Sequence, residues 1–117
     1  MPIENVLASV AVGDLDAAVK WYGKLLDMPA SRPMAEVAEW QFPRGGGLQV
    51  YKLPERAGSG SVTLAVTAIE EQIAHLDHLN IDTSHRTSND KIKTVMITDQ
   101  DGNHIAFAEA MDPKLAR

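Results

Sequence analysis

The sequence predicts an α+β fold built from two β-α-β-β-β modules, on three observations. A run apolar at every second position, followed by a stripe at helical spacing, occurs twice, over residues 6–26 and 61–79. Each pair is followed by further alternating runs joined through turn residues, PRGGG at 43–47 and DQDGN at 99–103. The two sets are offset by about 50 residues, the scale of a duplicated supersecondary unit.

In the first module, Val6, Ala8, Val10 and Val12 alternate with Leu7, Ser9 and Ala11, which describes a strand packed on both sides. Gly13-Asp14 stops the alternation. Leu15, Ala18, Val19, Tyr22, Leu25 and Leu26 then recur at helical spacing, so a helix is predicted over 15–26 with Asp14 capping its first amides. Pro29 and Pro33 forbid its continuation and leave 31–34 only a short, irregular edge strand. Residues 39–42 and 48–51 alternate again, and the glycine turn between them makes a hairpin.

Residues 54–60, PERAGSG, read as a polar linker. Beyond it, 61–66 alternates as a strand, and Thr67-Ala68-Ile69-Glu70 has the form of a capping box opening a second helix. Thr67 thus matches Asp14 in the first module. Ile69, Ile73, Leu76 and Leu79 form that helix's apolar stripe, and Asn80 suits the left-handed residue that ends it. A short strand is expected over 81–86, with clearer strands over 92–98 and 104–109 and a loose tail over 111–117. The chain then reads as one domain over 1–117, with module one at about 1–53 and module two at about 61–110. Two such sheets, each covered by a helix on its outer face, curl toward one another around a central cleft, where function is expected.

Composition narrows the chemistry. With 44% hydrophobic and 23% charged residues the chain is an ordinary globular sequence, large enough for a core. The absence of Cys excludes disulfides, thiolate nucleophiles, Cys-ligated zinc and iron–sulfur clusters, and fits a reducing compartment. MPIENVLASVAVGD shows no basic leader, and no apolar run approaches membrane-spanning length, so a cytoplasmic protein without membrane partners is expected. The net charge of −5 and the scattered bases argue against nucleic acid.

VxVxDLDAAxxWYxxLL over Val10–Leu26, with ITDQDGNHIAFAE over Ile97–Glu109, resembles the vicinal-oxygen-chelate superfamily. That family includes glyoxalase I, bleomycin-resistance proteins, fosfomycin-resistance proteins and extradiol dioxygenases. The resemblance spans nearly the whole chain and implies the paired-module fold with its cleft. It also implies a divalent-metal set of four side chains, which by position falls on Leu7, on Gln49 or Val50, on Ser61 and on Ala106. None of these is a histidine or a carboxylate, the donors that offset the hydration a divalent ion gives up. The expectation is a member without metal or other cofactor.

Strand parity places Leu7, Ser9, Gln49, Tyr51, Ser61, Thr63, His104, Ala106 and Ala108 on the inner faces. Such a lining, apolar with a few hydroxyls and amides, suits a neutral or aromatic organic molecule better than a phosphate. Trp40, beside the glycine turn, is either a stacking surface for an aromatic ligand or a core or dimer contact. Trp21 and Tyr22 read as packing residues. His104 follows the DGN turn and is the one catalytic candidate, an acid or base near pH 7, against a turn-capping role. His75 and His78, one helical turn apart, read as a solvated pair, and His85 lies in a polar loop with no second ligand at a telling spacing. DQDGN lacks the bidentate glutamate of a calcium loop and reads as a hairpin turn. Glu39, Glu109, Arg44 and Arg86 read as solvated charges.

The leading expectation is a metal-independent small-molecule-binding protein of the glyoxalase and bleomycin-resistance type, paired as a homodimer that hides open sheet edges. Three alternatives stand beside it. One is a lyase or isomerase using metal-free acid–base chemistry through His104, and another is an enzyme whose metal ligands lie elsewhere. The third is a protein whose filled cleft serves to pair with another protein.

Overall fold

A computed structural model describes residues 2–111, and the tail expected over 111–117 lies outside the described residues apart from Met111. The elements follow in the order β1 (Leu7–Val12), α1 (Leu15–Leu26), β2 (Ser31–Met34), β3 (Val37–Gln41), β4 (Gly47–Lys52), β5 (Ser61–Ala65), α2 (Ile69–His78), β6 (Arg86–Ser88), β7 (Ile92–Thr98) and β8 (His104–Ala110). This is β-α-β-β-β twice over. Two compact units result: among the described residues, one holds residues 2–60 together with Gln100–Asn103, the other holds Ser61–Asp99 and residues 104–111.

Each unit carries one open, mixed four-stranded sheet, in the order β1-β4-β3-β2 and β5-β8-β7-β6. The first strand of each module lies parallel to the last, and the other pairs are antiparallel. The parallel pairing follows from connectivity: the helix crossover returns β2 along the direction of β1, and two antiparallel reversals, β2 to β3 and β3 to β4, bring β4 back to that direction, with the same succession in the second module. No described helix is long and apolar enough to cross a membrane.

In the first unit, Asp14 accepts the Ala17 N–H at 3.1 Å and α1 ends on Asp27 in the left-handed conformation. Leu15, Ala18, Tyr22 and Leu25 of α1 are buried with Val10, Val12, Ala38, Trp40, Leu48 and Val50, which alternate along the sheet. In the second unit, Ile69, Ile73 and Leu76 of α2 are buried with Val62, Val95, Ile97, Ile105 and Phe107. One face of each sheet is therefore spent on its helix; on the other, Leu7, Ser9, Ser61, Thr63 and His104 are exposed while Ala11, Val37 and Ala108 are buried.

The linker over 54–60 holds a short 3-10 helix, Pro54–Arg56, since Pro54 at its first turn already has a helical φ. Three expectations are corrected. Thr67 does not cap α2: its N-cap residue is Ala68, and the Ile69 N–H is taken by Glu109 Oε1 at 2.8 Å from β8. Glu109 is thus a half-buried capping group rather than a solvated charge. The short strand expected over 81–86 begins only at Arg86, since Thr83 is buried and held by Asp77 Oδ1 at 2.6 Å, which keeps the segment before it out of the sheet.

Candidate functional site

The open face of the first sheet is built by the residues that alternate with its core. Register sets them in rows: Leu7, Gly47 and Gln41; then Ser9, Gln49 and Glu39; then Ala11, Tyr51 and Val37. A Cβ on Gly47 would sit 2.7 Å from the Trp40 carbonyl oxygen, a backbone atom that cannot swing aside, as well as against the Leu7 side chain, so the position calls for glycine. The middle row is hydrogen-bonded end to end. The Ser9 hydroxyl donates to Gln49 Oε1 at 3.1 Å, and Gln49 Nε2 donates to Glu39 Oε2 at 2.9 Å. Both bonds together leave the Gln49 amide one orientation, because flipping it would set oxygen against carboxylate.

The open face of the second sheet is smaller in its side chains. Ser61, His104 and Thr98 form one row, Thr63, Ala106 and Met96 the next, and Ala65, Ala108 and Thr94 the third. His104 is exposed and is the only titratable group at these positions. Its cross-strand neighbours are hydroxyls, not carboxylates.

The expected site residues therefore divide between two open faces, with Leu7, Ser9, Gln49 and Tyr51 on one and Ser61, Thr63, His104 and Ala106 on the other. Trp40 departs from the group. It is 1% exposed on the α1 side of the first sheet, its ring 6.0 Å from that of Tyr22, with the indole N–H donating to the Met28 carbonyl at 2.9 Å. The reason is register: Trp40 pairs with Leu48, a core position, so its neighbours Glu39 and Gln41 take the open face. The same register could have brought Glu39 forward from the sequence, as the polar residue opposite Gln49.

Outside these faces, the fully exposed Asp82 has its carboxyl held below the ordinary value, chiefly by the Ser84 side-chain hydrogen bond and then by the Ser84 N–H. It belongs to the loop before β6 and to neither open face.

Fit for a divalent metal can be tested on the donor set. Of the two candidates for the second position, Gln49 faces the open side, whereas Val50 is fully buried toward α1. Leu7 and Ala106 have no lone pair, Ser61 offers a neutral hydroxyl, and the Gln49 amide oxygen is engaged by Ser9. These residues do not fit a divalent ion. Among the described residues, no three His, Asp or Glu side chains come together in a way that could hold one.

No family model matches the sequence, and no curated protein does. Among solved structures, a glyoxalase/bleomycin resistance protein from Catenulispora acidiphila superposes with a TM-score of 0.83 at 31% identity, over 92% of this chain and 99% of that one. The chain belongs to the vicinal-oxygen-chelate superfamily. Two further members of the fold are more distant in sequence. An antibiotic binding protein from a Streptomyces species matches with a TM-score of 0.80 at 20% identity, over 94% of this chain and 98% of that one. A lactoylglutathione lyase from Agrobacterium tumefaciens matches with a TM-score of 0.79 at 16% identity, over 97% of this chain and 98% of that one. This vicinal-oxygen-chelate protein thus shares its fold with a binding protein and with an enzyme, so its function has to be argued from its own faces.

Proposed function

We propose that this vicinal-oxygen-chelate protein binds a small organic molecule without a metal, as a homodimer. What supports the reading is the donor set: leucine, glutamine, serine and alanine stand where the resemblance would put the family's metal ligands. The open faces support it from the other side. The first unit's face offers Leu7 and Tyr51 as apolar surface with Ser9 and Gln49 as polar atoms, and the second unit's face offers Met96 and Ala106 with Ser61, Thr63 and His104. That a structural relative is an antibiotic binding protein supports a carrier or sequestering role.

Native mass spectrometry of the purified protein, with metal analysis of the same sample and a ligand screen by protein NMR, tests the proposal. A metal-free dimer is expected, together with organic molecules whose binding shifts resonances of the open-face residues. A stoichiometric divalent metal that resists dialysis would overturn the metal-independent reading.

A further inference from the structure

The row Ser9, Gln49, Glu39 does more than pair neighbouring strands. Along it the Ser9 hydroxyl hydrogen is spent on Gln49, and one of the two Gln49 amide hydrogens is spent on Glu39. What remains toward the open side is dominated by acceptors: the Ser9 oxygen lone pairs and most of the Glu39 carboxylate. The charge on Glu39 is met by a neutral amide. No lysine or arginine occupies any position that shares this face on β1, β3 or β4, these being Leu7, Ser9, Ala11, Val37, Gln41, Gly47, Gln49 and Tyr51. Glu39 is half-buried, so its field is less screened than that of a solvated carboxylate. Tyr51, paired with Val37, is the diagonal neighbour of Glu39 across β3 and β4 and brings an aromatic ring to the same patch.

We propose that Glu39 sets the charge selectivity of the first sheet's open face, which takes the cationic group of an organic ligand, a protonated amine or an amidinium carried on an apolar body. This rests on the small-molecule reading above and adds the ligand's charge to it. A cation gains a charge-assisted hydrogen bond from the carboxylate and the attraction of the tyrosine ring. An anion meets the Glu39 carboxylate with no lysine or arginine at those positions of β1, β3 and β4; on β2, Ser31 pairs with Glu39, and the Arg32 guanidinium next to it donates to the Ala35 carbonyl at 2.8 Å. Gln49 is a positioning residue here, since its fixed amide holds one carboxylate oxygen and leaves the other for the ligand.

The test uses three probes of one ring size, benzamidine, benzyl alcohol and benzoate, titrated into the full chain and followed by protein NMR at backbone amides and the Gln49 side-chain amide. Benzamidinium is expected to bind about fivefold to tenfold more tightly than benzyl alcohol at the Ser9–Gln49–Glu39 row, the range for a partly screened charge contact, and benzoate more weakly than either. Glu39→Gln keeps an acceptor for Gln49 Nε2 and should abolish the preference for benzamidinium over benzyl alcohol and over benzoate. Ser9→Ala, which frees the amide without touching the charge, should keep the benzamidinium preference. Binding of the three probes on the open face without charge preference, or a preference that survives Glu39→Gln, overturns the charge role and leaves the small-molecule reading standing. Failure of all three to bind either open face, with the fold intact, counts against both.

Discussion

Replacing Asn103 by alanine tests how the first unit is held together. The Asn103 side chain is 0% exposed, accepts the Gly58 and Gly60 N–H groups at 3.1 and 2.8 Å, and donates to the Ala11 carbonyl at 2.8 Å. Truncation leaves those backbone groups without the amide that satisfies them. A buried polar group stripped of its partner costs about 1–3 kcal/mol. Gly58 and Gly60 are only half-buried, so water recovers part of that cost, and a total of about 3 kcal/mol is expected. With an unfolding entropy of about 2.1 cal/mol/K per residue, the chain's 117 residues imply a fall in Tm of about 12 °C. Urea and thermal melts followed by far-ultraviolet circular dichroism and tryptophan fluorescence measure it, and coincident curves license a single free energy. Asn103→Asp keeps an acceptor for the Gly58 and Gly60 N–H groups but buries a carboxylate with one oxygen against the Ala11 carbonyl, so it too should destabilise. A loss below about 0.5 kcal/mol for Asn103→Ala, the range of an ordinary surface change, would refute the reasoning.

Three further outcomes follow from the same geometry. Gly58→Ala should destabilise by at least about 2 kcal/mol in a urea melt, since Gly58 has φ +94° and a Cβ there would lie 2.3 Å from the Asp101 carbonyl oxygen. Glu109→Ala should cost about 1 kcal/mol by removing the cap of α2, and Glu109→Gln less, because the amide oxygen still accepts while the favourable charge at the helix start is lost; a helix signal in circular dichroism that is insensitive to both would count against the cap. Trp40→Ala should cost about 3–5 kcal/mol as a core truncation, whereas Trp40→Phe in the NMR screen should leave the affinity of any open-face ligand unchanged.

Much of the fold was legible because its signals are local. Alternation in β1, β4, β7 and β8, the stripe and Asp14 cap of α1, and the two turn segments each lie within a few residues of one another. Where a partner comes from far along the chain, the local signal misleads. Thr67 and Glu70 have the form of a capping box, yet the group that reaches the start of α2 is Glu109, forty residues beyond the Ile69 amide it caps. Asn103 reads as one more turn residue, although its amide is consumed by Ala11, Gly58 and Gly60. Trp40 beside three glycines invites a surface role, and only its pairing with Leu48 turns it inward.

By itself the sequence determined the duplicated β-α-β-β-β order and the family, because periodicity and motif are properties of neighbours along the chain. Tertiary structure decided which polar groups meet. The Ser9–Gln49–Glu39 row joins three strands whose pairing sets side chains from residues 9, 39 and 49 side by side, and the fixed amide and the exposed remainder of the Glu39 carboxylate exist only there. Strand register carries that information, and register is settled by burying Val10, Val50, Ala38 and Trp40 against α1 rather than by the polar residues themselves.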